Sequence, residues 1–189
     1  VLHATNHTMD KGRTGLVNCL NYWSENHPDI KVLGANKTQE EYDEVYIYEQ
    51  DGMKIAMLNY TYGLNGMPMP SDMPFAVDMM EEDKMSADLA IAEEQADFTV
   101  VLLHWGNEYQ TYASENQKMW ANFFLERGTD LIIGTHPHVI QPVEWYEDED
   151  GNRMLVYYSI GNFINSTADS GNGIGKRVVG AMAEVEIVR

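Results

Sequence analysis

The chain has 189 residues, 44% of them hydrophobic, which suffices for one well-buried domain and is short for two. Its 30 acidic residues outweigh 12 basic ones, giving a formal net charge of −18. That balance argues against nucleic acid and anionic lipid, which bind through Lys and Arg neutralising phosphates. No apolar run approaches the ~20 residues that span a bilayer, and the first residues carry no signal-peptide pattern.

Val1-Leu2-His3-Ala4 reads as the end of a strand already under way, so the chain is expected to be a single domain, residues 1–189, partial at its N-terminal side. Residues 13–26 have helical periodicity, with Leu16, Val17, Leu20 and Trp23 on one side, and Pro28 stops them. The single cysteine, Cys19, falls on that apolar face as a small buried hydrophobe and permits no internal disulfide. Residues 32–34 predict a short buried strand. Residues 44–50 and 53–60 predict two strands joined at Asp51-Gly52, a strong hairpin signal. Residues 63–75, rich in proline, glycine and methionine, read as an irregular loop.

An acidic amphipathic helix is predicted over 79–97, with Met85, Leu89, Ala92 and Ala96 inward. A strand over 98–103, a helix over 114–127 and a strand over 130–134 follow. Two further strands, 139–146 and 153–159, flank the turn at Asp148-Glu149-Asp150-Gly151. Residues 161–175 read as a Gly/Asn/Ser-rich loop, and 178–188 as a strand whose second half alternates apolar and polar. βαβ units interleaved with antiparallel hairpins predict an α/β fold, with mixed β-sheets layered with helices.

Four constellations could carry chemistry. His136-Pro137-His138 follows the apolar run Leu131-Ile132-Ile133-Gly134. Proline biases the residue before it towards extended backbone, so two imidazoles can be held rigidly on a non-helical loop. His104 ends another apolar run. If the two strands are parallel neighbours, all three imidazoles emerge at one sheet edge, where open α/β sheets place their ligands, and imidazole is the commonest side-chain ligand for a transition metal. Taken alone, His104 is as readily a satisfied core residue. Asn6-His7, with Asp10 following, sits on a strand-to-helix loop and reads either as a helix cap or as a site. Ser159-Ile160-Gly161-Asn162-Phe163 reads either as a plain turn or as backbone amides and Asn162 binding an anion. His3 and His27 read as structural or surface residues.

In this order these pieces resemble one family. Ala4-Thr5-Asn6-His7-Thr8-Met9-Asp10-Lys11-Gly12 looks like the A-N-N-H-x-x-D-x-G element of the CapA-type proteins of bacterial capsule and poly-γ-glutamate synthesis. Leu103-His104-Trp105-Gly106-Asn107-Glu108-Tyr109 looks like their H-W-G-x-E-Y. Residues 133–142 look like I-G-x-H-P-H-V-x-Q-P, and Tyr158-Ser159-Ile160-Gly161-Asn162-Phe163 like Y-S-L-G-N-F. That family is similar to the calcineurin-like metallophosphoesterases, an αββα sandwich holding two divalent metals. By that resemblance Asn6, His104, His136 and His138 are metal ligands. His7 is the general acid or transition-state stabiliser, and Asp10 orients it. The implied cofactors are divalent Mn, Fe or Zn.

Two departures stand out. Thr5 replaces the first Asn of the usual pair. The strand with a Gly-Asp element that opens the family, and a later acidic element, are not found in the chain as given. First strands of the sandwich are therefore expected to be missing, and with them about half of a dinuclear site, so that metal binding by the chain is weak. The resemblance implies a metal-dependent hydrolase acting on an anionic polymer such as poly-γ-glutamate, or on a phosphoester. It implies a place at the cell envelope or its extracellular side, with membrane-bound capsule synthesis proteins as partners. The alternative is a non-catalytic component of the polymer synthesis and export complex.

Overall fold

The computed structural model describes residues 1–164 and 173–188. In chain order the elements are α1 (Gly12–Asn26), α2 (Gln39–Asp43), β1 (Tyr46–Gln50), β2 (Met53–Thr61), α3 (Glu82–Gln95), β3 (Phe98–His104), α4 (Glu115–Leu125), β4 (Leu131–Thr135), β5 (Val143–Glu147), β6 (Arg153–Tyr157) and α5 (Ile174–Arg177). The strands form one six-stranded sheet in the order β1-β2-β3-β4-β6-β5. Its four central strands are parallel, and each edge strand is the antiparallel arm of a hairpin. This is the expected α/β architecture. Beside the sheet lie only isolated bridges among the described residues, including Leu2 with Leu33 and Ala35 with Val77.

Period-two burial builds the main core. Leu58 and Tyr60, Val101 and Leu103, Ile132, and Met154 and Val156 project from one sheet face against Met85 and Leu89 of α3 and Ala121, Phe124 and Leu125 of α4. A second cluster joins Leu16 and Leu20 of α1 to Ala4, Met9, Ala35, Leu64, Met73, Ala76 and Val77. Asn59 of β2 links that layer to the sheet. Its Oδ1 accepts from Ala4 N–H at 2.9 Å, and its Nδ2 donates to Leu102 O at 2.9 Å. Gly34 (φ +87) is required at this junction, because a Cβ there would lie 2.3 Å from Asn59 Oδ1.

The predicted hairpins and βαβ units form with ends shifted by a few residues. Three expectations are corrected. Residues 32–34 make only a bridge at Leu33. Cys19 is half-buried, its Sγ 3.8 Å from His3 Nε2. The predicted C-terminal strand is no strand: over 178–188 the chain makes one bridge, Gly180 to Gly161, and Val178, Val179, Met182 and Val188 are exposed. Alternation supplies a preference, but a strand exists only where a neighbouring edge offers hydrogen bonds, and no strand of the sheet pairs with this segment. The predicted loop over 161–175 lies partly outside the described residues, and its last part is α5.

Candidate metal centre

The register of the parallel strands sets Thr61, His104 and Thr135 side by side at their carboxyl ends. The loops that leave these ends carry the candidate residues. His104 and His136 have ring centroids 4.8 Å apart, and His136 and His138 6.1 Å apart. Asn6, from the loop before α1, completes the group: its Oδ1 is 2.8 Å from His104 Nε2 across 98 residues of sequence. The structure thus brings Asn6, His104, His136 and His138 together.

His136 is not extended, as its position before Pro137 predicted; its φ is +96. Both flanks of the loop are tied to the β3–α4 loop, with Trp105 N–H donating to Thr135 O at 3.2 Å and Tyr109 N–H to Pro137 O at 2.7 Å. These bonds override the local bias. Five non-glycine residues among those described have positive φ: Asp51 in a hairpin turn, and Asn65, Tyr109, His136 and His138, all at this site. Such backbone persists only where its surroundings over-determine it, and it clusters at functional sites.

Two of the three imidazoles have a defined second partner. Thr135 Oγ1 lies 3.2 Å from His104 Nδ1 and itself donates to Leu103 O. Asn162 Oδ1 lies 2.8 Å from His138 Nδ1, while its Nδ2 donates to His138 O and Arg177 O. Asn162 is therefore engaged with His138. The N–H groups of Ile160 and Gly161 donate to Gly134 O and Ser159 Oγ. His136 Nδ1 is buried and has no hydrogen-bond partner. An orphaned buried nitrogen is costly, and a cation would satisfy it. Burial, reinforced by the neighbouring imidazoles, lowers the pKa of His104 to about 3. Burial lowers that of His136 to about 4, against an opposing pull from Glu108. Both rings are neutral at pH 7, with a lone pair free to coordinate.

Sequence reasoning gave no role to Glu108, although it lies within the quoted His104–Tyr109 stretch. Ligand atoms of Glu108, His136 and His138 fall within 4.8 Å of one another, a set of two imidazoles and a carboxylate that could hold a divalent cation. The loop carrying Glu108 is braced by Gln117. This side chain completes a capping box with Ser114 and donates to Gln141 Oε1, and Gln141 in turn donates to Gln110 O and Tyr112 O. Gly106 (φ +83) lets the loop pass Gln117, whose amide would lie 2.7 Å from a Cβ. Tyr62, also missed, packs its ring 4.7 Å from that of His136. Burial and the Glu108 carboxylate raise its phenol pKa, and a hydrogen bond with the Asn6 side chain opposes them. The donor set and the orphaned nitrogen fit a divalent metal.

His7 and Asp10 stand at the exposed rim, with Asp10 Oδ2 2.8 Å from His7 Nδ1. His7 is near enough that its charge also disfavours protonation of His104 and His136. His3, read as structural, accepts from Trp23 Nε1 at 3.1 Å.

The chain is similar to known proteins. The family model for the bacterial capsule synthesis protein PGA_cap matches residues 1–167. The PGA biosynthesis protein CapA of Bacillus subtilis (strain 168) is 30% identical over 171 residues, covering 85% of this chain and 41% of that protein. The capsule biosynthesis protein CapA of Bacillus anthracis is 28% identical over 166 residues, covering 85% and 38%. The chain thus spans about two fifths of the length of these relatives. Among solved structures, the NAD nucleotidase of Haemophilus influenzae matches with a TM-score of 0.52 at 18% identity, over 80% of this chain and 28% of that one. That likeness concerns the fold.

Proposed function

From the premise that the chain belongs to the bacterial capsule synthesis protein family, we propose that it is a divalent-metal-dependent hydrolase of capsule or poly-γ-glutamate biosynthesis. The observation that carries this reading is the convergence of His104, His136, His138 and Asn6 at one strand edge around an unsatisfied imidazole nitrogen. In the proposal these four residues hold the metal, with Glu108 as a further carboxylate donor. Mn, Fe and Zn suit such donors about equally. The cation would supply Lewis acidity and offset charge developing at the scissile bond.

The protein's own groups do the rest. His7 stands at the open rim, and Asp10 at Nδ1 leaves Nε2 as the nitrogen that delivers a proton to the leaving group. Asn162 fixes the ring plane of His138, and a weaker role in substrate contact is open to it. The substrate is an anionic polymer such as poly-γ-glutamate, or a phosphoester. The setting is the cell envelope, beside membrane-bound synthesis proteins. No helix among the described residues is long and apolar enough to cross a membrane.

The test is metal uptake. Titrating Mn into the metal-free protein and reading free Mn by electron paramagnetic resonance should give saturable binding in the wild type and at least tenfold weaker binding in His136→Ala. Equal binding by both removes the centre and leaves the non-catalytic reading, a component of the synthesis and export complex.

A further inference from the structure

The amide of Asn6 presents its oxygen to the histidine cluster, but nothing in Asn6 itself decides this. The two ends of an amide have the same shape, and the partners alone fix which is oxygen. Here Oδ1 lies 2.8 Å from His104 Nε2, and Nδ2 donates to Asn65 Oδ1 at 3.1 Å. Asn6 is buried, and the lone pair of the neutral His104 Nε2 would accept a flipped Nδ2, so it is Asn65 that a flipped amide would mismatch, by setting its oxygen against Asn65 Oδ1.

Asn65 comes from the turn after β2, where Met67 N–H donates to Leu64 O at 2.9 Å. Both central residues are left-handed, Asn65 at φ +52 and Gly66 at φ +75, the pattern of a type I′ turn, which favours Asn-Gly. Buried Leu64 anchors the turn in the second core. Tyr62, on the same loop, touches both Asn6 and His136. The turn preference alone explains why asparagine stands at position 65. It does not explain why its side-chain oxygen meets the amide that faces His104.

We infer that Asn65 is a positioning residue: it accepts from Asn6 Nδ2, locks the amide with Oδ1 towards the site, and so sets metal affinity. The inference rests on the reading of Asn6 as a metal donor. Two substitutions separate the side chain from the turn. Asn65→Gly keeps the left-handed backbone at no steric cost and removes the acceptor. Asn65→Asp keeps an acceptor and can only accept.

The experiment is Mn titration of the metal-free wild type, Asn65→Gly, Asn65→Asp and His136→Ala, with thermal unfolding of each metal-free protein alongside. Loss of a partner that orients a ligand typically weakens metal binding by about 10–100-fold. The expected result is Asn65→Gly about tenfold weaker than wild type, with cooperative unfolding kept and a midpoint lowered only modestly by the unpaired Asn6 Nδ2, and Asn65→Asp equal to or tighter than wild type. If Asn65→Gly binds like wild type while His136→Ala does not, Asn65 is a turn residue and the inference fails alone. It also fails alone if Asn65→Asp weakens binding as Asn65→Gly does. If the wild type takes up no Mn, the inference and the proposed centre fail together.

Discussion

At the scale of single residues, His136 combines features that work against stability. Its backbone is left-handed, it is buried, and its Nδ1 has no partner. A non-glycine residue in such a conformation stores about 1–3 kcal/mol, and an unsatisfied buried nitrogen adds about 1–3 kcal/mol. Ordinary truncation of a large buried side chain costs about 2–5 kcal/mol. His136→Gly is therefore expected to leave the metal-free protein as stable as wild type or more so, in guanidinium unfolding, because relief of strain and of the orphaned nitrogen offsets the lost packing. A loss of more than about 2 kcal/mol would show that the residue is comfortable without a cation. Proline at 137 suggested an extended His136, and hydrogen bonds reaching across from residues 105 and 109 work against that. Such long-range constraints leave no trace in a local sequence window.

At the scale of elements, what could be read from sequence is what local chemistry decides. Asp51-Gly52 encodes its hairpin, and the 3.6-residue periodicity of α1 and α4 needs no partner to be visible. The His104 and His136–His138 loops were legible because parallel βαβ geometry brings successive strand ends to one edge. Glu108, Asn65 and Tyr62 stayed hidden because an acid after a turn, an asparagine before glycine and an exposed tyrosine each have an ordinary explanation. Their roles arise from contacts made by other elements. The same holds for Asp78, in the segment leading to α3. It accepts from Asn36 Nδ2 at 2.7 Å, and its pKa is raised from 3.8 to about 7, chiefly by burial, against the pull of Lys84. Its folded form binds more protons than its unfolded form between those values, so its contribution is fully present below about pH 3.8 and is lost as pH rises through 7. Asp78→Asn removes this loss. The change in unfolding midpoint from pH 5 to pH 8 is expected to be more favourable in the variant than in wild type. The lowered pKa values of His104 and His136 act in the opposite direction, taking stability away as pH falls below 6.5, but they act equally in both proteins. Identical pH profiles would show that Asp78 titrates normally in the fold.

At the scale of the whole molecule, the site lies where two packed clusters meet. Asn6 and His7 belong to the layer built on Ala4, Met9 and α1, while His104, His136 and His138 belong to the sheet and the loop after β4. A cation held by both sides would couple two cores that Asn59 and a few bridges otherwise join. Around that junction the chain carries a net charge of −18. Exposed ion pairs such as Arg13 with Asp72 and Arg153 with Glu147 leave this long-range field essentially unchanged. At ~0.01 M ionic strength the Debye length is about 30 Å, so the field reaches well beyond the surface, and at ~0.15 M it shrinks to about 8 Å. A polyanion such as poly-γ-glutamate is therefore repelled unless positive charge is supplied at the site. Fluorescence anisotropy of labelled poly-γ-glutamate should show no binding in chelator at low salt, and saturable binding once Mn is added. That Mn-dependent signal should be absent in His136→Ala, because free Mn can bridge two acidic surfaces anywhere, whereas a centre-dependent complex needs its ligands. Binding in chelator would mean that a basic surface, not the metal centre, recruits the polymer. Equal Mn-dependent binding by His136→Ala would assign the effect to the acidic surface at large.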